Sequence, residues 1–459
     1  MKCCVITLGC QMNQSDSERI RSVLEKVGFE MTDREEDASL IGIVACSVRQ
    51  KAIDKVYSKI HKWNKWKKER DLVTFVSGCI LPADEDKFLN LFDLLFRMNQ
   101  LRELPDMLRQ CGISTAFSTR NPLDSINRID DLTDFWQVNP SYSKSFEAFV
   151  PIQNGCDKFC SFCAVPYTRG REVSRSSSEI INEVKSLIDK GVKSITLLGQ
   201  NVNSYGLDRA GEEISFAELL RQIGELGNQS KHDFWVYFTS PHPRDMTREV
   251  IEVIALYPVL AKQIHLPLQS GDDKLLRRMN RNHNVADYMQ VICDIRDLIP
   301  EATIFTDIIV GFCGESKEQV EQTAEVMLDV QYNMAYIAKY SPRVGARSAR
   351  WEDNVSNEEK SERLARLTEV LKRTSLLHNE SLVGKRLKVL VERVDPRVEG
   401  AVAARTEGKL PVRVNNVKNE FVGTFIDVEI TSASELSLSG KRVNYDSVNS
   451  NIDNFVTTQ

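Results

Sequence analysis

Asn154-Gly155-Cys156-Asp157-Lys158-Phe159-Cys160-Ser161-Phe162-Cys163 sets three thiols at spacings of three and then two intervening residues. Three thiolates so arranged can hold three corners of a cubane iron-sulfur cluster, leaving a fourth iron without a protein ligand and open to a small molecule. A closed zinc site wants a fourth Cys or His close by, and the nearest downstream histidine is His232, so zinc is the weaker reading. Structural or incidental cysteines are the other alternative.

Working outward from this run, strand and helix patterns alternate from about Phe146 to Ser341. Ala148 to Ile152 reads as a strand leading into the cysteines. A helix carries Ile180, Ile181, Val184, Leu187 and Ile188, and strands follow at Ser194 to Leu198, Phe234 to Phe238, Gln263 to Leu268, Thr303 to Val310 and Met334 to Lys339. Ser316 and Gln319 form a capping box before a helix with Val320, Val326 and Met327. This rhythm predicts an α/β fold whose central part is a partial (βα)6 barrel. Ligand sites then gather at the carboxyl ends of the strands, where Cys156, Gln200, Asn201, Ser240, Gln269 and Asp307 fall. Gln200 and Asn201 can offer amides to an ammonium or carboxylate. Gln269 and Asp307 serve equally as turn or cap residues. His265 reads as a satisfied core residue.

The first hundred residues repeat one device. Val5 to Leu8 leads to Cys10, Leu40 to Val44 to Cys46, and Val73 to Val76 to Cys79. Each run reads as a buried strand, and a helix with Ile20, Val23, Leu24 and Val27, closed by Gly28, separates the first two. Alternation of this kind predicts an N-terminal parallel-sheet α/β domain with all strands ending on one edge. Cys10, Cys46 and Cys79 would then converge as a second triad. Cysteine also packs well near strand ends, which is common once and less so three times. Cys3, Cys4, Cys111, Cys293 and Cys313 lack partner spacing and read as small buried apolar residues.

The spacing of Cys156, Cys160 and Cys163 resembles the signature of radical S-adenosylmethionine enzymes. Further blocks are Gly9-Cys10-Gln11-Met12-Asn13, Asp16-Ser17-Glu18, Cys46-Ser47-Val48-Arg49-Gln50-Lys51-Ala52 and Gly78-Cys79. Others are Pro166-Tyr167-Thr168-Arg169-Gly170-Arg171-Glu172, Gly199-Gln200-Asn201-Val202, His265-Leu266-Pro267-Leu268-Gln269-Ser270-Gly271, Thr306 to Phe312 and Tyr340-Ser341-Pro342-Arg343. Over nearly its whole length the chain is similar to the methylthiotransferases of that superfamily. The resemblance implies two [4Fe-4S] clusters, one on Cys156, Cys160 and Cys163 and an auxiliary one on Cys10, Cys46 and Cys79. It makes these six cysteines the catalytic and metal-binding set, with Gln200, Asn201, Ser240, Gln269 and Asp307 as candidates for S-adenosylmethionine. It further implies that one S-adenosylmethionine methylates a sulfur on the auxiliary cluster and a second yields the 5′-deoxyadenosyl radical.

Gln11 and Met12 after Cys10 look like the MiaB type, which acts on tRNA carrying N6-isopentenyladenosine next to the anticodon. Relatives acting on a ribosomal protein or on threonylcarbamoyl-adenosine usually show lysine at or near that place. The implied partners are that tRNA and an external one-electron donor, flavodoxin-like or ferredoxin-like; the chain is expected to be a monomer. Val44-Ala45 before Cys46, Ile80-Leu81 after Cys79 and Cys313 in place of proline depart from the family pattern and leave the six cysteines intact. A methylthiotransferase for a protein side chain, and an RNA-binding protein whose clusters only stabilise the fold, share many of these features.

Past a charged helix at Asn357 to His378, short strands at Leu387 to Val391, Ala401 to Ala404, Leu410 to Val414, Phe425 to Ile430 and Glu435 to Ser439 predict a small antiparallel β-barrel. It resembles the TRAM domain, an RNA-binding module. Arg393, Arg397, Arg405, Arg413 and Lys418 are phosphate candidates or a solvated face. His61 to Lys68 mixes cations with Trp63 and Trp66, which suits stacking on unpaired bases or a half-buried helix equally. The expected divisions are 1–118 for the auxiliary-cluster domain, 142–375 for the partial barrel, 380–444 for the TRAM-like barrel and 445–459 for a polar, disordered tail. With 459 residues and 42% hydrophobic content, each has material for a core. A net charge of −5 argues weakly against non-specific nucleic-acid binding. No apolar run spans a bilayer and no secretion pattern opens the chain, so a cytoplasmic location and reduced thiols are expected.

Overall fold

The computed structural model describes residues 1–47, 50–113, 136–417 and 419–443. Val48, Arg49, Lys418 and the tail 445–459 lie outside the described residues. Five strands, β1 (Lys2–Leu8), β2 (Glu30–Met31), β3 (Leu40–Cys46), β4 (Val73–Cys79) and β5 (Leu94–Leu95), form an all-parallel sheet in the order β2-β1-β3-β4-β5. Every residue of β3 is buried, as a strand covered on both faces requires. On one face, helix α1 (Gln11–Lys26) packs Ile20, Val23 and Leu24 against Leu40, Val44 and Phe75. On the other, α2 (Gln50–Trp66) packs Val56, Ile60 and Trp63 against Ile41, Ile43 and Val76.

The central region opens with β6 (Glu147–Pro151) and the short antiparallel pair β7 (Gln153–Asn154) and β8 (Val173–Ser174). Then come β9 (Ser194–Leu198), β10 (Trp235–Phe238), β11 (Gln263–His265), β12 (Thr303–Val310) and β13 (Met334–Lys339). They make two parallel three-stranded sheets, β6-β9-β10 and β11-β12-β13. A seam joins the two where the Val236 amide donates to the Val259 carbonyl (2.7 Å) and the Ala261 amide to the Val236 carbonyl (3.0 Å). The expected partial (βα)6 barrel is thus present, with its fourth strand shortened from Gln263–Leu268 to Gln263–His265. Pro267 has no N–H to give the ladder, and the Leu268 amide turns to the Thr306 hydroxyl (3.0 Å) instead. Alternate residues of β12, Ile304, Ile308 and Val310, join the core under the helices; Phe305 and Asp307 occupy the opposite face.

Helix Asn357–Glu380, opened by a Ser356/Glu359 capping box, leads to a closed barrel. Its strands are β14 (Arg386–Val394), β15 (Ala401–Thr406), β16 (Pro411–Asn415), β17 (Phe425–Ala433) and β18 (Leu438–Arg442), ordered β14-β15-β16-β18-β17. Two details differ from the sequence reading. β16 and β18 pair in parallel, so the barrel closes through one parallel seam. The last strand begins at Leu438, because hydrogen bonds from Ser434 to Ser437 hold the preceding residues in a turn. The loop after β15 is fixed to the starts of the central strands: Tyr237 donates its hydroxyl to the Glu407 carbonyl (3.0 Å), and Thr303 to the Gly408 carbonyl (2.8 Å). Among the described residues no helix is long and apolar enough to cross a membrane.

Candidate active site

Parallel registry builds the first triad. β3 and β4 run in step to Cys46 opposite Cys79, and Cys10 is the N-cap residue of α1, two positions beyond β1. Asn13, fully buried, knits them: its Oδ1 accepts from the Cys10 thiol (3.3 Å), and its Nδ2 donates to the Ala45 carbonyl (3.0 Å) and reaches Cys79 Sγ (3.9 Å). Gly78 holds a φ of +102°, and a Cβ there would lie 2.5 Å from the Ala45 carbonyl oxygen; only glycine suits that place. The Cys79 thiol is pushed up to about 12 by burial, opposed by the Arg169 guanidinium. Arg169 Nε donates to Cys79 Sγ (3.0 Å) while Nη2 pairs with Asp16 Oδ2 (2.5 Å), with both side chains almost wholly buried.

The second triad lies on one loop between β7 and the short helix Val165–Arg169. Gly155 opens it with a φ of +80°, where a Cβ would collide with the Arg171 carbonyl oxygen, and donates its N–H to Gln200 Oε1 (2.5 Å). Across the loop the Cys156 amide reaches the Gly170 carbonyl, the Cys163 amide the Cys160 carbonyl and the Val165 amide Cys163 Sγ (3.4 Å). Ser161 ties the loop to Met279 and Arg278, and Asn280 Nδ2 donates to the Lys158 and Phe159 carbonyls. Burial raises Cys156 to about 11 and Cys163 to about 12, with neighbouring triad sulfurs adding to both. Thiols held protonated this way are poor nucleophiles, whereas a bound metal centre deprotonates its sulfur ligands outright.

A ring of polar side chains encloses this loop. Arg281 Nη1 lies 3.5 Å from Cys160 Sγ, the Arg281 carbonyl meets His283 Nδ1, and the His283 ring is 5.5 Å from that of His242. His242 is tied through its backbone to Asn203. Lys158 pairs with Asp245 (2.5 Å), and Asp245 accepts from Asn201 Nδ2 (3.2 Å). Burial and the cations Arg281 and Lys158 hold His242 neutral, far below the usual imidazole range, and His283 is lowered to about 4. Within the ring Asn201 Oδ1, His242 Nε2, Gln269 Oε1, Gln153 Oε1 and Arg281 Nε are buried without a hydrogen-bond partner. Each such atom costs about 1–3 kcal/mol unless something binds it, so these residues fit a polar ligand beside the triad. Among the described residues no three His, Cys, Asp or Glu side chains close on a single ion. Each triad is a set of three mutually interacting sulfurs, a soft donor set of the kind that holds an iron-sulfur cluster.

The sequence candidates divide accordingly. Gln200 and Asn201 stand beside the loop triad, Gln200 spending its carbonyl on Gly155. Gln269, at φ +73°, is buried four residues past the fourth strand, bridged to Ile308 of β12, with its side-chain oxygen free. Ser240 is exposed two residues past β10, at φ +57°. Asp307 lies lower in its strand, bonded to His265 Nε2 (2.9 Å); His265 is partly exposed there rather than in the core, its ring 5.5 Å from that of Tyr336. Cys293 is exposed and Cys111 half-buried, against expectation: Cys293 lies within helix Val285–Leu298 away from its buried residues, and Cys111 is the C-cap of helix Leu104–Gln110; Cys3, Cys4 and Cys313 are buried as expected. Sequence reasoning missed Arg169, Asp16, Lys158, Asp245, His242, His283 and Arg281. Their charge suggested solvent, and only Arg169, Asp16 and Lys158 fell in blocks singled out for resemblance.

On the C-terminal barrel Arg393 and Arg397 are exposed, while Arg405 pairs with Glu392 (3.0 Å) and Arg413 with Asp395 (2.8 Å). Arg393, Arg405 and Lys409 line a 420 Å³ cavity against Gln11, Trp235 and Tyr237. In the run from His61 to Lys68, Trp63 is fully buried and donates to Glu35 (2.9 Å), and Trp66 lies between Lys62 and Arg70. The half-buried helix is the correct reading of that run.

Family models match three stretches: the Radical SAM superfamily over residues 150–327, Uncharacterized protein family UPF0004 over 2–96 and the TRAM domain over 380–443. A solved structure of the radical S-adenosylmethionine methyltransferase TsrM from Kitasatospora setae superposes with a TM-score of 0.55 at 13% identity, covering 76% of this chain and 75% of that one. The cobalamin-dependent radical enzyme OxsB gives 0.52 at 13% identity, covering 80% and 56%. Fold and matched models together define a radical S-adenosylmethionine enzyme with a TRAM barrel appended. Relatives called tRNA-2-methylthio-N(6)-dimethylallyladenosine synthase are 38% identical in Geobacter metallireducens (95% of this chain, 97% of that one) and 36% in Actinobacillus pleuropneumoniae serotype 5b (95% and 91%). In Clostridium botulinum the figure is 37%, covering 95% and 96%. The chain belongs to the MiaB-type methylthiotransferase family and is an enzyme that transfers methylthio groups.

Proposed function

We propose that this enzyme inserts a methylthio group at carbon 2 of N6-isopentenyladenosine beside the anticodon of tRNA. The observation that carries the reading is the pairing of two cysteine triads, one on a single loop and one across three strand ends, with Arg169 in contact with both surroundings. In this reading Cys156, Cys160 and Cys163 hold one [4Fe-4S] cluster and Cys10, Cys46 and Cys79 the other. When bound, the loop cluster supplies one-electron cleavage of S-adenosylmethionine, the source of a radical able to take hydrogen from an unactivated C–H bond. Asn201 and Gln269 orient the methionine part, and Gln200 keeps the loop in shape through Gly155. Ser240 and Asp307 are secondary contacts on the same edge and inner face. Gln11, beside Cys10 and lining the cavity under the TRAM barrel, meets the target nucleotide, and Arg393 and Arg397 meet RNA phosphates. Electrons come from a flavodoxin-like or ferredoxin-like donor, the chain works as a monomer, and its tRNA substrate puts it in the cytoplasm.

The test is anaerobic reconstitution with iron and sulfide analysis, then incubation with dithionite, S-adenosylmethionine and tRNA bearing N6-isopentenyladenosine, with nucleosides read by mass. Near eight irons per chain with a 2-methylthio product is the expected result. 5′-Deoxyadenosine without that product overturns the substrate, and absence of cleavage overturns the radical chemistry.

A further inference from the structure

We infer that Arg169 is a positioning residue shared by the two triads, setting the electronic character of the auxiliary site from within the radical domain. The inference rests on the reading of Cys10, Cys46 and Cys79 as a cluster site. Arg169 closes the short helix that follows Cys163, so its backbone is fixed by the loop triad. Its side chain crosses to the other triad, giving Nε to Cys79 Sγ (3.0 Å), Nη2 to Asp16 Oδ2 (2.5 Å), and Nη1 to Asp16 Oδ1 and to Asn154 Oδ1 (3.4 Å each). Asn154 in turn donates to the Arg169 carbonyl (3.2 Å), and it directly precedes the Gly155-Cys156 turn. One guanidinium therefore contacts a sulfur of one triad and the entrance of the other.

Three features separate this from an ordinary buried ion pair. Asp16 needs only the fork of one terminal nitrogen pair, yet Nε, the remaining donor, is aimed at sulfur rather than at a carbonyl. The pair is almost wholly buried, with side-chain exposures of 5% and 0%, so its field is little screened. The donor to Cys79 is a cation, whereas Cys10 donates to the neutral amide of Asn13. Hydrogen bonds to ligand sulfur and nearby positive charge favour the more reduced state of an iron-sulfur cluster, and make the three ligands unequal. Lysine could supply the charge but not the fork that holds Nε in line.

The experiment compares full-length Asp16→Asn, Asp16→Asn/Arg169→Gln and Asp16→Asn/Arg169→Lys proteins, reconstituted with both clusters, by redox titration monitored by electron paramagnetic resonance. The Asp16→Asn background removes the carboxylate that Arg169→Gln alone would leave buried and uncompensated. The auxiliary midpoint is expected to move to more negative potential in the Gln double variant relative to Asp16→Asn, with partial return in the Lys variant, while the midpoint of the loop cluster stays put. Equal auxiliary midpoints in all three overturn the inference. A wild-type chain that takes up one cluster only overturns it together with the auxiliary-site reading; two clusters with no shift overturn it alone.

Discussion

The two triads solve one problem by opposite means. Cys156, Cys160 and Cys163 are brought together by eight residues of one loop, whose shape rests on Gly155, Gln200 and Asn280. Cys10, Cys46 and Cys79 are brought together by a whole parallel sheet, each at the end of a different strand, with Asn13 and Arg169 as the ties. A loop triad depends on local backbone conformation, and a sheet triad depends on register and burial. Separate perturbations should therefore reach one and spare the other.

The largest expected effects come from removing a sulfur. Cys160→Ala should lose 5′-deoxyadenosine formation entirely, whereas Cys46→Ala should keep it and lose the methylthio product; full product from Cys46→Ala would end the assignment of the sheet triad. Next come the two glycines. Gly155→Ala places a Cβ about on the Arg171 carbonyl, and Gly78→Ala places one 2.5 Å from that of Ala45, each in a φ range costing roughly 1–3 kcal/mol for other residues. Each variant should lose half the iron, with cleavage lost only in Gly155→Ala.

Asp16→Ala strips a buried partner from Arg169 and should lower unfolding free energy by about 3–5 kcal/mol, read by denaturant titration of the apo protein. Acid should reach the loop side instead. His283 is held at about 4 by burial and by Arg281, below its unfolded value, so the unfolded chain binds the proton first. Stability should then be full above about pH 6.5 and fall as pH drops toward 4, by up to about 3 kcal/mol. His242, lowered further still by burial, adds to the same slope, so His283→Gln should lessen it without abolishing it in thermal melts at pH 5 and 7.5. Smallest is Arg171→Ala at the loop's outer clamp: its pair with Asp157 is exposed, and a marked fall in melting temperature would contradict its surface character.

The sequence made the loop triad legible because its geometry is local: spacing alone limits where three sulfurs can go. The sheet triad needed one further step, the inference of parallel strands from apolar runs and helix signals, and the Ser316/Gln319 capping box shows how direct such signals are. What stayed hidden depends on distance along the chain. Nothing near Arg169 announces that its partner is Asp16, 153 residues away, or that Lys158 faces Asp245. A charged residue in isolation reads as solvated, and its burial emerges only when domains meet. Trp63 was ambiguous for the same reason, its indole being settled by Glu35 from a distant turn. The parallel seam between β16 and β18 is invisible to a period-two pattern, which gives strand faces but not strand direction.

The in-step pairing of β3 and β4 has a consequence for how this chain can change length. Leu40 to Cys46 is matched residue for residue with Val73 to Cys79, so inserting or deleting one residue inside either strand would turn Cys46 or Cys79 to the other face of the sheet. The turn at residues 67–72 has no such partner to keep pace with. Length variation in descendants of this sequence should collect there and be absent from the strands, a pattern of permitted insertions that marks the sulfur-bearing edge without reference to the cysteines themselves.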